Sequence, residues 1–279
     1  ARLKSLCEGS GLSFHQVDFA DFDALCAAVS PSEITAIVHV GAQPGVRYSL
    51  ENPGSYAQSN LVGHLNLLEL ARAAPKLEHM VYASSSSVYG GNTKLPFSES
   101  DPVDHPVSLY AATKRADELM SETYAHIYDL PITWLRFFTV YGPWGRPDMA
   151  VWLFTEALLE GRPLRLFNNG ELYRDFTYID DIVAGVLAVL DGPPVDDALH
   201  RLYNIGNNKP EKVTRLIEVL ETATGKKAEI NSEPLQPGDV EKTAADITAI
   251  ERDFGFKPTT PIDIGLPKFV EWYRGYREL

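Results

Sequence analysis

Tyr110 and Lys114 stand four residues apart inside a helical pattern that runs over Leu109–Tyr128, so both side chains project from one helix face. In a Tyr-x-x-x-Lys pair the ammonium stabilises a phenolate, drawing a tyrosine whose ordinary pKa is about 10 toward neutral conditions. Such a tyrosine can take a proton from an alcohol while a hydride leaves the same carbon. Upstream, Met80-Val81-Tyr82-Ala83 runs into Ser84-Ser85-Ser86-Ser87 and then Val88-Tyr89-Gly90. A hydroxyl row at the carboxyl end of a strand can hydrogen-bond the oxygen being oxidised, because ligands of open parallel sheets bind at those ends. Alone, the pair also describes a surface Tyr beside a solvated Lys, and the serine run also describes a loop. Together, at this interval, they point to a redox site for a carbinol.

The elements that must position these groups alternate. β-Branched runs at Ser13–Val17, Ile34–Val40, His79–Ala83, Ile132–Phe138 and Leu202–Ile205 predict strands, with helices expected over Asp21–Val29, Ser55–Ala74 and Leu109–Tyr128. After Gly142-Pro143-Trp144-Gly145 the alternation loosens, with helices at Ala150–Leu159, Asp181–Leu190 and Lys212–Thr224, strands at Leu164–Phe167 and Asp175–Tyr178, and two helices at the end. The expected fold class is α/β, a doubly wound parallel-sheet Rossmann fold with a smaller α/β substrate-binding cap. The expected division assigns 1–140 and 174–206 to the dinucleotide-binding part, and 141–173 with 207–279 to the cap.

Composition limits the partners. The 279 residues carry 38 acidic against 25 basic side chains, a formal net charge of −13, which disfavours broad contact with nucleic acid or anionic lipid. A small anionic substrate remains compatible if a few Arg side chains line its pocket. Two cysteines, Cys7 and Cys26, form neither a disulfide framework nor a metal cluster, so no metal is expected and a cytoplasmic location fits. No apolar run approaches the ~20 residues of a membrane span.

The chain resembles a known family. The serine run, Tyr110-Ala111-Ala112-Thr113-Lys114 and Arg174-Asp175-Phe176-Thr177-Tyr178-Ile179-Asp180-Asp181 look like the extended short-chain dehydrogenase/reductases, the NAD-dependent epimerases and dehydratases of nucleotide sugars. Two segments are similar to the UDP-glucuronate 4-epimerase branch: Ala42-Gln43-Pro44-Gly45-Val46-Arg47-Tyr48-Ser49, and Leu135 through Ala150, which contains Tyr141-Gly142-Pro143-Trp144-Gly145-Arg146-Pro147-Asp148-Met149. The resemblance implies bound NAD, a transient 4-keto sugar, Tyr110 as base, Ser85 on the sugar O4 and Lys114 on the nicotinamide ribose. It implies Asp18 and Phe19 at adenine, with Val40, Gly41, Ala42, Gln43 and Asn60 beside the cofactor. For the UDP-sugar it implies Thr139 at the sugar nucleotide, Phe167 against uracil, Arg174 on pyrophosphate, and Gln236 and Asp239 closing over ribose and phosphate. It also implies a homodimer built on the two long helices Ser55–Ala74 and Leu109–Tyr128.

Glucuronate poses its own difficulty. With a ketone at C4, the C5 carboxylate belongs to a β-keto acid, which loses CO2 readily unless the carboxylate is held out of alignment with the carbonyl. Ser86, Ser87, Arg47 and Arg146 are the candidates for that clamp, since a guanidinium offers paired donors to a carboxylate. Related 4,6-dehydratases carry Asp-Glu where Ser86-Ser87 stand, and related decarboxylases carry a Glu at the second position; neither acid is present. The expected reaction is C4 epimerisation of UDP-glucuronate to UDP-galacturonate. The alternatives are epimerisation of another UDP-hexose, decarboxylation of UDP-glucuronate, or a non-catalytic NAD-sensing or scaffold role. A Gly-rich phosphate loop after a first strand, with an acidic residue after the second, is expected of such a fold. Neither is found from Ala1 onward, so the functional protein is expected to be longer, with a first β-α-β unit before this segment.

Overall fold

The computed structural model describes residues 7, 11–195, 199–235 and 240–278. Its main sheet holds four parallel strands in the order β1 (Ala36–His39), β2 (His79–Ser85), β3 (Ile132–Phe137) and β7 (His200–Ile205). The register pairs Val38 with Val81, Ala83 with Leu135, and Leu135 with Tyr203. Strands β2 and β3 are buried almost throughout, as parallel strands covered on both faces must be.

Helix α1 (Phe22–Ala28) begins at Asp21, whose carboxylate accepts the Ala24 N–H. The run 53–72 is helical but not uniform: an α turn at Pro53–Tyr56 and a π-helical stretch at Ala57–Val62 precede α2 (Gly63–Arg72). Helix α3 (Leu109–Tyr128) starts where expected because the Ser108 hydroxyl caps it, accepting the Ala111 N–H at 3.1 Å, a contact worth about 1 kcal/mol. It ends at Asp129, in the left-handed conformation.

Beyond β3 the chain builds β4 (Thr139–Tyr141), α4 (Ala150–Glu160), β5 (Leu164–Phe167), β6 (Tyr173–Tyr178) and α5 (Ile179–Leu190), the last packing back on β2 and β6. After β7 come β8 (Pro210–Lys212), α6 (Val213–Thr224), β9 (Ile230–Glu233), α7 (Thr248–Phe254) and α8 (Ile262–Arg277). Two small sheets, β4-β6-β8 and β5-β9, carry the cap. Its apolar centre joins Trp152, Leu158, Leu166, Leu216, Leu266 and Phe269. A second cluster lies against the main sheet, and Ala245, Ile247, Ile250 and Phe256 pack there with Val81, Leu135 and Ile205. The chain therefore leaves the cap and rejoins the sheet before returning as α8.

One expected strand is corrected. Residues 13–17 form no strand, since none of the described strands lies beside them to complete a backbone ladder. Gln236 and Asp239 lie outside the described residues. Among the described residues no helix is long and apolar enough to cross a membrane.

Candidate active site

Helix α3 packs against the 86–89 turn that follows β2, and Asn60 ties its Thr113 to the loop that follows β1. Tyr110, the second residue of α3, is half-buried, its ring edge-on to Tyr56 with centroids 6.2 Å apart. Lys114, one turn later, is 3% exposed, and its Nζ donates to Asp117 Oδ2 at 3.1 Å. Burial pushes the Asp117 carboxyl up to about 7, against the pull of the Lys114 charge. The same charge, added to a stronger effect of burial, lowers His39 to about 3. His39 stacks on His64, which burial holds neutral as well.

The serine run divides by depth. Ser84 faces inward and donates to Glu118 Oε1 at 2.6 Å. Glu118, fully buried on α3, takes two further hydrogen bonds from Arg136 on β3, both at 2.9 Å. Arg136 reaches on to the Tyr89 hydroxyl, which donates to Asn204 on β7 at 2.6 Å. Burial opposes the Arg136 charge, but its bonds to Glu118 outweigh that and hold its pKa above the ordinary value. This chain of polar contacts ties β2, β3, β7 and α3 together beneath the site. Ser85 ends β2, and its Oγ accepts the Ser87 N–H at 3.2 Å, so its own proton remains available to donate. Gly90 closes the turn at φ 58°, where a Cβ would stand 2.3 Å from the His105 carbonyl oxygen.

Ser86 and Ser87, both half-buried, line a cleft of about 140 Å³ with Thr139 and Arg174. Arg174 also donates to the carbonyls of Tyr173 and Glu241. Thr139 and Arg146 line a neighbouring cavity of about 40 Å³ beneath α4. Arg146 itself makes a two-point ion pair with Asp148, largely exposed. Arg47 is brought over the Phe167 ring, 4.4 Å from its centroid, so the loop after β1 touches the end of β5 at this point.

At the end of β1, Asn60 holds the loop: its Oδ1 accepts the Gln43 N–H at 2.7 Å, and its Nδ2 donates to the Gln43 carbonyl and to Thr113 on α3. Val40 is 65% exposed, and Phe19 packs beside Gly41, edge-on to His39. Asp18 is exposed, and its carboxylate accepts the Ala20 N–H. Three supporting residues escaped the sequence reading. Tyr56 is fully buried, and its hydroxyl donates to the carbonyl pair of Pro44 and Gly45, at 2.8 and 2.6 Å. Nothing local marks it. Asp117 and Glu118 lie three and four residues beyond Lys114, a helical spacing that does place them near it.

The profile of the NAD dependent epimerase/dehydratase family matches residues 1–206. Protein CapI of Staphylococcus aureus is 45% identical over 289 residues, covering 99% of this chain and 86% of that protein. UDP-glucuronate 4-epimerase 2 of Arabidopsis thaliana is 48% identical over 286 residues, covering 98% of this chain and 66% of that protein. Among solved structures, UDP-glucuronic acid 4-epimerase from Bacillus cereus, in complex with UDP-glucuronic acid and NAD, superposes with a TM-score of 0.89 at 32% identity. That match covers 98% of this chain and 85% of the other.

Proposed function

The chain belongs to the NAD dependent epimerase/dehydratase family, and from that premise we propose that it epimerises UDP-glucuronate at C4 to UDP-galacturonate. The observation that carries the reading is the packing of α3, which bears Tyr110 and Lys114, against the 86–89 turn that follows Ser85, beside a cleft whose serines and arginine suit an anionic sugar nucleotide.

The residues present fit NAD. Lys114 is a buried ammonium with three donors, and among the described residues only Asp117 accepts one of them. Two donors thus remain for vicinal hydroxyls such as those of a ribose. Asp18 and Phe19 would flank the adenine, and Val40, Gly41, Ala42, Gln43 and Asn60 would run beside the cofactor. When bound, NAD supplies the acceptor, and later the donor, of the C4 hydride.

The chain's own groups manage the protons and the geometry. Tyr110 takes the O4 proton and later returns it. Ser85 donates to the same oxygen and keeps it in line with Tyr110. Between the two half-reactions the 4-keto sugar must present its other face, and a cleft lined by short hydroxyls leaves room for that turn. Ser86 and Ser87, with Arg47 and Arg146, hold the carboxylate so that the bond to C5 stays out of line with the ketone. Reaching the substrate costs Arg146 part of its pairing with Asp148, a small loss because exposed pairs contribute at most about 1 kcal/mol. Thr139, Phe167 and Arg174, with Gln236 and Asp239, hold the uridine diphosphate. Incubation of the full-length protein with UDP-glucuronate and no added NAD is expected to yield UDP-galacturonate. UDP-xylose or a 4-keto pentose as the main product would exclude this reading.

Two further assignments follow from the surface and the thiols. Val62 and Leu65 on the 53–72 run, and Leu119 on the adjoining α3, are exposed apolar side chains. A second copy covering them makes a homodimer, and light scattering is expected to give twice the chain mass, falling to the single mass for Leu65→Glu/Leu119→Glu. Cys7 and Cys26 are both free thiols, which supports a cytoplasmic setting.

A further inference from the structure

Asp117 is a buried acid that the scheme above leaves without a task. It lies three residues after Lys114 and seven after Tyr110, so the three side chains fall within one narrow arc of α3. Lys114 and Asp117 are both out of solvent, at 3% and 0% exposure, and paired at 3.1 Å. The second carboxylate oxygen, Oδ1, is buried and accepts no hydrogen bond from the described residues. A carboxylate left half-satisfied in the interior is costly, and here its one bonded oxygen meets the Lys114 ammonium, so the two buried charges act on each other directly.

We propose that Asp117 is a positioning residue that anchors the Lys114 ammonium on the face it shares with Tyr110 and, through its charge, sets how much of the Lys114 charge is felt at the Tyr110 phenol. An ionised carboxylate beside an ammonium cancels much of its field a few ångströms away, whereas a protonated one leaves it nearly whole. The surroundings make both states accessible. Facing Asp117 are Lys114 and Glu118 on its own helix, His64 from α2 and Tyr82 from β2, with His39 from β1 stacked behind His64. Both histidines are neutral, as burial holds their pKa values down, and Tyr82 is kept protonated by burial and by Glu118. Lys114 therefore supplies the positive charge at this spot, and Asp117 changes its own charge around neutrality, near 7. Proton uptake at Asp117 strengthens the hold of Lys114 on a Tyr110 phenolate; proton loss weakens it.

The inference rests on Tyr110 as the base, and its test needs no sugar. In NAD-loaded protein, tyrosinate absorbance is titrated with pH for the wild type and for Tyr110→Phe, and the difference isolates Tyr110. The same pair is then measured with Asp117→Asn. Removing the carboxylate charge is expected to lower the Tyr110 midpoint by about one pH unit. Asp117→Glu, which keeps the charge, is expected to restore the wild-type midpoint; a purely structural role would not sort the variants by charge. Asp117→Ser replaces the amide variant if that one does not hold NAD. Coincident midpoints in the wild type and the neutral variant overturn the role of Asp117 and leave the proposed reaction standing. A wild type with no Tyr110-dependent step removes Tyr110 as the base and the inference with it.

Discussion

Tyr110→Phe is expected to lower kcat by about a thousandfold or more while UDP-sugar and NAD binding stay within a few-fold of the wild type. The substitution removes one oxygen from a half-buried ring whose packing against Tyr56 is otherwise kept. The lost oxygen is the one that exchanges a proton with O4, in both half-reactions. No neighbour replaces it: Ser85 can donate to O4 but lacks a base of its own, and Lys114 is tied to Asp117. An interaction made only as the O4 proton moves appears in kcat rather than in binding. Stopped-flow measurement of NADH absorbance under single-turnover conditions checks the chemical step, and equilibrium dialysis with UDP checks binding. A variant that turns over at a tenth of the wild-type rate or better would exclude Tyr110 as the base.

The second large effect concerns stability. Glu118→Ala is expected to cost about 3–5 kcal/mol, because it leaves Arg136 charged and buried without its partner. Glu118 accepts from Ser84 and twice from Arg136, and Arg115 lies at 3.1 Å as well, so one truncation undoes four contacts. In a chain of this size, that corresponds to a fall in Tm of roughly 6–20 °C. The double replacement Glu118→Leu/Arg136→Met removes both charges together and should recover much of the loss, since an apolar pair of similar volume matches a buried ion pair closely. Thermal denaturation followed by circular dichroism distinguishes the two. Equal Tm values for the single variant and the wild type would show that the network carries no weight. Activity is expected to fall in both variants, for Ser84 precedes Ser85 and the same contacts hold α3 against β2.

Much of this molecule was legible along the chain. Helix α3 has the limits its pattern predicts, because Ser108 supplies the cap and the polar-apolar period marks the rest. Strands β2 and β3 were equally plain, their apolar runs being what a strand covered on both faces requires. The Tyr-x-x-x-Lys spacing and the serine run needed only local geometry to suggest carbinol chemistry. Residues 13–17 show the limit of such reading. Read alone they suggest a strand, but a strand exists through its neighbour's hydrogen bonds, and none of the described strands supplies them. The π-helical stretch Ala57–Val62 was hidden for a related reason, since apolar spacing does not distinguish an i+4 from an i+5 ladder.

Segment 244–256 reads as part of the C-terminal block, yet it packs on the main sheet, as Phe97 pairs with Ala245 across a gap of 148 residues. Likewise Tyr56, far from any motif, supports the loop that carries Pro44 and Gly45, and Arg47 finds Phe167 on β5, 120 residues away. By itself the sequence determined the chemistry on offer, because a residue's type and its spacing on one helix or strand are local properties. Which serine faces the core and which the cleft, and what holds Arg136, were decided by tertiary structure alone. Each depends on burial and on contacts between distant segments, and neither quantity exists until the chain has folded.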